Sequence, residues 1–205
     1  PTLDLQLFQP TLATGTTFTL DRPEVPRHLT FVAGLGANGA SRLMERGDGE
    51  VIAPWRVQAD LLFALGLFEW LEFGVALPVV FGASGQFAPV GDIQTSTHVS
   101  LGDVRIGVKV PLLRGRNALS ARVEGTLPTG GRETYARQRY WTLTPALVFA
   151  HHAGDFTFGA DVGYRFRDRS AVPGFELDDE LQVKLGGAYR VVPALAIIAE
   201  GQLRA

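Results

Sequence analysis

From residue 155 to residue 167 apolar and polar side chains alternate without a break, and that period of two restricts the stretch to one long amphipathic strand. Phe156, Phe158, Ala160, Val162, Tyr164 and Phe166 share one face. Asp155, Thr157, Gly159, Asp161, Gly163, Arg165 and Arg167 share the other. No helical stripe, which repeats every ~3.6 residues, produces this order.

The alternation returns along the chain. Leu181, Val183, Leu185, Tyr189 and Val191 oppose Glu180, Gln182, Lys184, Gly186 and Arg190. Val104, Ile106, Val108 and Val110 oppose Asp103, Arg105, Gly107 and Lys109, and Leu119, Ala121, Val123 and Leu127 oppose Ser120, Arg122, Glu124 and Thr126. Leu195, Ile197, Ala199 and Leu203 oppose Ala196, Glu200, Gln202 and Arg204. Weaker versions at 29–35, 57–67, 71–79 and 141–149 bring the number of strands to nine. Many reach the ~9–11 residues that cross a bilayer when tilted, beyond the ~5–6 usual in globular sheets.

Connections divide into two kinds. Residues 68–70, 114–117, 153–154 and 192–194 are tight links, whereas 38–54, 81–100, 129–138 and 168–178 are long and rich in Gly, Ser, Asp or Arg. Short turns at one rim and long loops at the other characterise outer-membrane barrels, with the loops extracellular. Trp141, Tyr164 and Phe166 fall near the long-loop rim and Phe149, Phe156, Phe158 and Tyr189 near the tight-turn rim, as two aromatic girdles would. Pro145 cannot donate to a ladder, so a bulge or strand end is expected there.

Composition removes other classes. The formal net charge is −2 with no block of like charges, which gives nucleic acid no electrostatic footprint. Cysteine is absent, excluding a disulfide framework and thiolate chemistry. The one apolar run long enough for a membrane helix, 61–83, contains Glu69, Glu72, Gly66, Gly74 and Pro78. Each carboxylate at a helix centre would cost roughly 2.5–3.5 kcal/mol. His151 and His152 are adjacent and point to opposite faces of a strand, and Gly34, Gly36 and Gly39 have no helix after them to form a phosphate cradle. No catalytic residue, metal ligand or cofactor site is therefore expected, and no enzymatic activity.

Two runs, Leu101-Gly102-Asp103-Val104-Arg105-Ile106-Gly107-Val108-Lys109 and Thr126-Leu127-Pro128-Thr129-Gly130-Gly131, resemble OmpA-family barrels of myxobacterial type. The chain is also similar, over residues 8–204, to the transporter family associated with phenol-degradation pathways. The resemblance implies an outer-membrane location and a barrel of about twelve strands, an even count as bacterial barrels have. For the first family it implies a peptidoglycan-binding domain after the barrel. The expected fold is thus all-β, an antiparallel up-and-down transmembrane β-barrel with nine strands visible, truncated at its C-terminus. Residues 28–205 form the barrel and residues 1–27 lie at the periplasmic rim or in the lumen.

Inward charges should form a lumen network of Asp60, Glu72, Asp103, Arg105, Lys109, Arg122, Glu124, Asp161, Arg165, Glu180, Lys184, Arg190, Glu200 and Arg204. Both signs are present, so the lumen is either a hydrated path or a salt-bridged plug; balanced charge offers little ion selectivity and favours the plug. A turn centred between Gly115 and Arg116 sets Lys109 opposite Arg122 and Gly107 opposite Glu124, with Glu124 diagonal to both Lys109 and Arg105. The expected function is a pore for small solutes or an envelope-anchoring barrel in outer-membrane lipid. The alternative is a soluble ligand-binding β-barrel, which turns its apolar face inward.

Overall fold

The alternating runs form strands. The computed structural model describes residues 9–12, 17–45, 51–84, 96–130, 140–167, 170–172, 175–192 and 195–205. In chain order the elements are β1 (Phe31–Glu45), β2 (Val51–Leu67), β3 (Leu71–Ser84), β4 (Ser96–Leu101), β5 (Val104–Leu113), β6 (Asn117–Leu127), β7 (Thr142–Ala153), β8 (Phe156–Arg167), β9 (Ser170–Val172), β10 (Phe175–Leu177), β11 (Glu180–Val192) and β12 (Leu195–Arg204).

Nine of them run antiparallel in the order β1-β2-β3-β5-β6-β7-β8-β11-β12, the wall of a half-barrel. Among the described residues β1 and β12 each pair on one side only. β9 and β10 make a separate two-stranded ribbon. β4 and β5 are one strand interrupted at Gly102 and Asp103, because Pro78 on β3 has no amide to offer and its carbonyl instead accepts from Gly102 at 2.8 Å.

Three segments expected to be long loops contain strand. β1 continues to Glu45 and β2 begins at Val51; β3 continues to Ser84 and β4 begins at Ser96; residues 168–178 include the β9–β10 ribbon. Beyond the apolar belt both faces of a strand can be polar, so the alternation fades while the ladder continues. Most of the 129–138 connection lies outside the described residues.

Pro145 neither bulges nor ends β7. It pairs with Val123 in unbroken register, and the ladder to β8 simply omits Thr144 and Pro145 between Leu143↔Phe166 and Ala146↔Gly163. Residues 61–83 are the facing strands β2 and β3, and among the described residues no helix is long and apolar enough to cross a membrane. The tight turns use left-handed backbone: Gly115 and Gly154 adopt it without strain, while Phe68 (φ 54°) and Glu69 (φ 62°) adopt it without glycine.

Burial inverts the usual globular order. Val162 and Phe166 on the outer face are each 47% exposed, while Lys109 and Asp161 on the inner face are 1% and 2% exposed. Among the described residues a small buried apolar cluster is formed by Leu12, Leu62 and Ala76. Leu12 is not part of the wall. It belongs to residues 9–12, which lie against β3 and β5 on the concave face; residues 17–27 lie against β8, β11 and β12 on the same face and lead to the tight-turn rim, where Leu29 and Thr30 bond to Gly66.

Candidate functional site

Register alone would set two cations against each other on the inner wall, since Lys109 on β5 pairs with Arg122 on β6. Like charges directly opposite destabilise a strand pair. The sheet supplies carboxylates at the flanks: Glu72, the β3 partner of Lys109, is 3.0 Å from its Nζ, and Asp161 on β8 is 3.1 Å from Arg122 Nη2. Lys184 on β11, register partner of Asp161, lies 3.6 Å from the same carboxylate.

The centre of this belt is filled from residues 17–27. Asp21 reaches Lys109 Nζ at 3.2 Å and Arg122 Nη1 at 3.0 Å. Burial by itself would raise its pKa, but the two cations outweigh that and hold the carboxyl well below the usual range.

Leucines seat the same segment on the wall. Gly74 pairs with Gly107 across β3 and β5, and Gly159 with Gly186 across β8 and β11, leaving two hollows on the inner face. Leu12 occupies the first and Leu20 the second: a methyl group at Gly107 would lie 2.7 Å from Leu12 Cδ1, and one at Gly159 2.6 Å from Leu20 Cδ2. Both leucines are buried.

Backbone groups of the segment are satisfied by wall side chains. Glu200 accepts from the amides of Phe18 and Thr19 at 2.8 Å and of Leu20 at 3.3 Å, and Lys184 donates to the Thr19 carbonyl at 3.0 Å. Toward the long connections, Arg105 donates to the Pro10 carbonyl at 2.8 Å and Arg165 to Gln9 Oε1 at 2.6 Å. Toward the tight turns, Glu24 meets His152 at 2.8 Å and also lines, with Pro23, Arg27, Glu69 and Arg114, an open cavity of about 280 Å³.

Asp60, Glu72, Asp103, Arg105, Lys109, Arg122, Glu124, Asp161, Arg165 and Lys184 are buried on the inner face, and Glu180, Glu200 and Arg204 are half-buried there. Two expectations need correcting. Arg190 is exposed, because its strand has reached the tight-turn rim, where its backbone amide bonds to Asp155. Glu124 does not join Lys109, which Asp21 and Glu72 already serve; it pairs with Arg105 at 3.4 Å. Asp103 accepts from the Gly130 amide at 2.8 Å and so holds a loop.

Sequence reasoning passed over Asp21 and Gln9. It also passed over a buried ladder on β2, in which Arg56 donates to Gln58 and Gln58 to Asp60, each at 2.8 Å. His151 and His152 have separate partners, Asn117 and Glu24. Among the described residues no group of three His, Asp or Glu is placed to hold a metal ion.

The family model described as "Putative MetA-pathway of phenol degradation" matches residues 38–203. Among solved structures, an outer membrane channel from Pseudomonas putida F1 is similar in fold, with a TM-score of 0.60 over 88% of this chain and 74% of that chain, at 13% identity. No curated protein matches the chain.

Proposed function

The chain belongs to this phenol-degradation family, and from that premise we propose that it walls an outer-membrane channel for small solutes whose bore is occupied by residues 9–12 and 17–27. One observation carries the reading. The wall presents apolar side chains outward and, inward, a belt of charges completed by Asp21 between Lys109 and Arg122.

An outer face of this kind suits lipid, whose core offers nothing to hydrogen-bond and therefore tolerates only closed, internally bonded strands. The inner face suits water and polar solutes. A soluble ligand-binding barrel needs apolar side chains on its concave face, where Gln58, Lys109 and Asp161 stand instead. The fold likeness to an outer membrane channel supports the same location.

With the segment seated, the belt is closed and conduction is low. With it displaced, the inner wall is a polar path. Reconstituted into planar bilayers, the full-length protein should give discrete conductance steps under voltage. Stable insertion without conductance at any voltage would leave the envelope-anchoring role implied by the OmpA-family resemblance.

A further inference from the structure

Residues 17–30 are held to the wall by two chemically different sets of bonds. From Phe18 to Asp21 the wall partners are charged side chains: Glu200 accepts from the amides of Phe18, Thr19 and Leu20, Lys184 donates to the Thr19 carbonyl, and Asp21 pairs with Lys109 and Arg122. From His28 to Thr30 the partners are backbone groups of Gly66 and Phe68. The Leu29 amide donates to the Gly66 carbonyl at 2.8 Å, the Gly66 amide to the Thr30 carbonyl at 3.0 Å, and the Phe68 amide to His28 Nδ1 at 2.9 Å. The His28 ring also stacks on Phe68, with centroids 5.2 Å apart. At Gly66 the chain rests on the sheet with no side chain between, since a methyl group there would run into the carbonyl oxygens of Pro26 and Arg27.

Between the two sets the backbone is stiff except at one residue. Pro23 and Pro26 have fixed φ, and Arg22 and Val25, each preceding a proline, are biased to extended conformations. Glu24 alone among residues 22–26 carries neither restriction. It is exposed, and with Pro23 and Val25 it borders the open cavity of about 280 Å³, which leaves room for rotation on that side. Its carboxylate bonds to His152 at the exposed rim, and a surface contact of this kind is weak.

We propose that the bore opens by a hinged displacement: residues 17–23 leave the belt as a stiff arm that turns at Glu24, while residues 26–30 stay fixed on Gly66 and Phe68. This rests on the channel reading above and names the part of the segment that moves. Removing the charge of Asp21 loosens only the upstream set, because the bonds of Leu29, Gly66 and Phe68 carry no charge and share no partner with it. The Thr11 amide donates to the Phe18 carbonyl at 3.0 Å, which couples residues 9–12 to the motion of the arm. A retained pivot also keeps the arm at high local concentration, so reseating is an intramolecular event.

The test is amide exchange, residue by residue, in the full-length protein in lipid nanodiscs. In Asp21→Asn, exchange at Phe18, Thr19 and Leu20 should accelerate about a hundredfold, while Leu29, Gly66 and Phe68 keep their wild-type rates. Parallel acceleration of both groups overturns the hinge, since the whole segment then leaves; unchanged rates in both, in the folded variant, overturn it equally. Should Asp21→Asn fail to fold, Glu24 supplies a second comparison. Glu24→Gln and Glu24→Gly both remove the carboxylate from His152, but only glycine frees the backbone at the pivot. The glycine variant should exchange at Phe18, Thr19 and Leu20 about two- to fivefold faster than the glutamine variant, and equal rates overturn the hinge. The expected exchange pattern in an inserted protein that never conducts overturns the channel reading and leaves the hinged segment in place.

Discussion

Lys109 and Arg122 face each other across β5 and β6, and the Asp21 carboxylate that reconciles them, 3.2 Å from one and 3.0 Å from the other, comes from outside the sheet. The wall is thus electrostatically incomplete without Asp21. Asp21→Asn removes the shared charge but leaves Glu72 on Lys109 and Asp161 on Arg122, so its cost falls at the low end of breaking a buried pair, about 3 kcal/mol. Hydrogen exchange at the Phe18, Thr19 and Leu20 amides, which bond to Glu200, should accelerate about a hundredfold. Adding Arg122→Met removes the cation left short of charge, and the double variant should be less perturbed than the two single effects added together.

The glycine hollows give an independent test by size. Gly159→Ala places a methyl group 2.6 Å from Leu20 Cδ2, closer than carbon atoms approach, and should loosen the segment by about 1–3 kcal/mol. Leu20→Ala in the same chain restores the room. Exchange at the Phe18 amide should rise in Gly159→Ala and fall back toward wild type in the double variant; a rise that Leu20→Ala leaves untouched would assign the effect to β8 itself.

Much of this was legible in the sequence and some was not, for a physical reason. Strands facing different solvents on their two sides must alternate, so β5, β6, β8, β11 and β12 can be read directly, and the Gly115 turn fixes Lys109 opposite Arg122. The ends of β1, β3 and β4 leave the apolar belt and lose the signal. Residues 9–12 and 17–27 have no period, because their shape is set by the wall: Glu200 satisfies the amides at 18–20, and Leu12 and Leu20 follow the hollows. The signal that could have located them is the pair of cross-strand glycine matches, Gly74 with Gly107 and Gly159 with Gly186, on faces otherwise lined by polar side chains. An open, water-filled bore has no need of such hollows.

Asp21 also sets the response to acid. Its carboxyl is held below the ordinary aspartate value of about 3.9, so its contribution to docking is complete above that value and is lost only as pH falls through the lower, folded one. Conductance of the wild type should therefore not rise between pH 7 and about pH 4 on account of this residue, and should rise below that window. In Asp21→Asn the conductance should be high at neutral pH and lack the acid-induced rise. An acid-induced rise that persists unchanged in Asp21→Asn would contradict the assignment.

The central claim is that residues 9–12 and 17–27 sit in the bore and control it, and the absence of cysteine from this sequence allows it to be tested by a single cross-link. Leu20→Cys with Gly159→Cys places one thiol on the segment and one on β8, within reach because Leu20 Cγ lies 3.5 Å from where the Cβ at 159 would be. Single-channel conductance of the double variant should be recorded first oxidised, then after reduction. The account predicts ready disulfide formation, a channel fixed in its low-conductance state, and recovery of wild-type openings on adding reductant. Failure of the cross-link to form in the inserted protein, or a cross-linked channel that opens as freely as the reduced one, would contradict it.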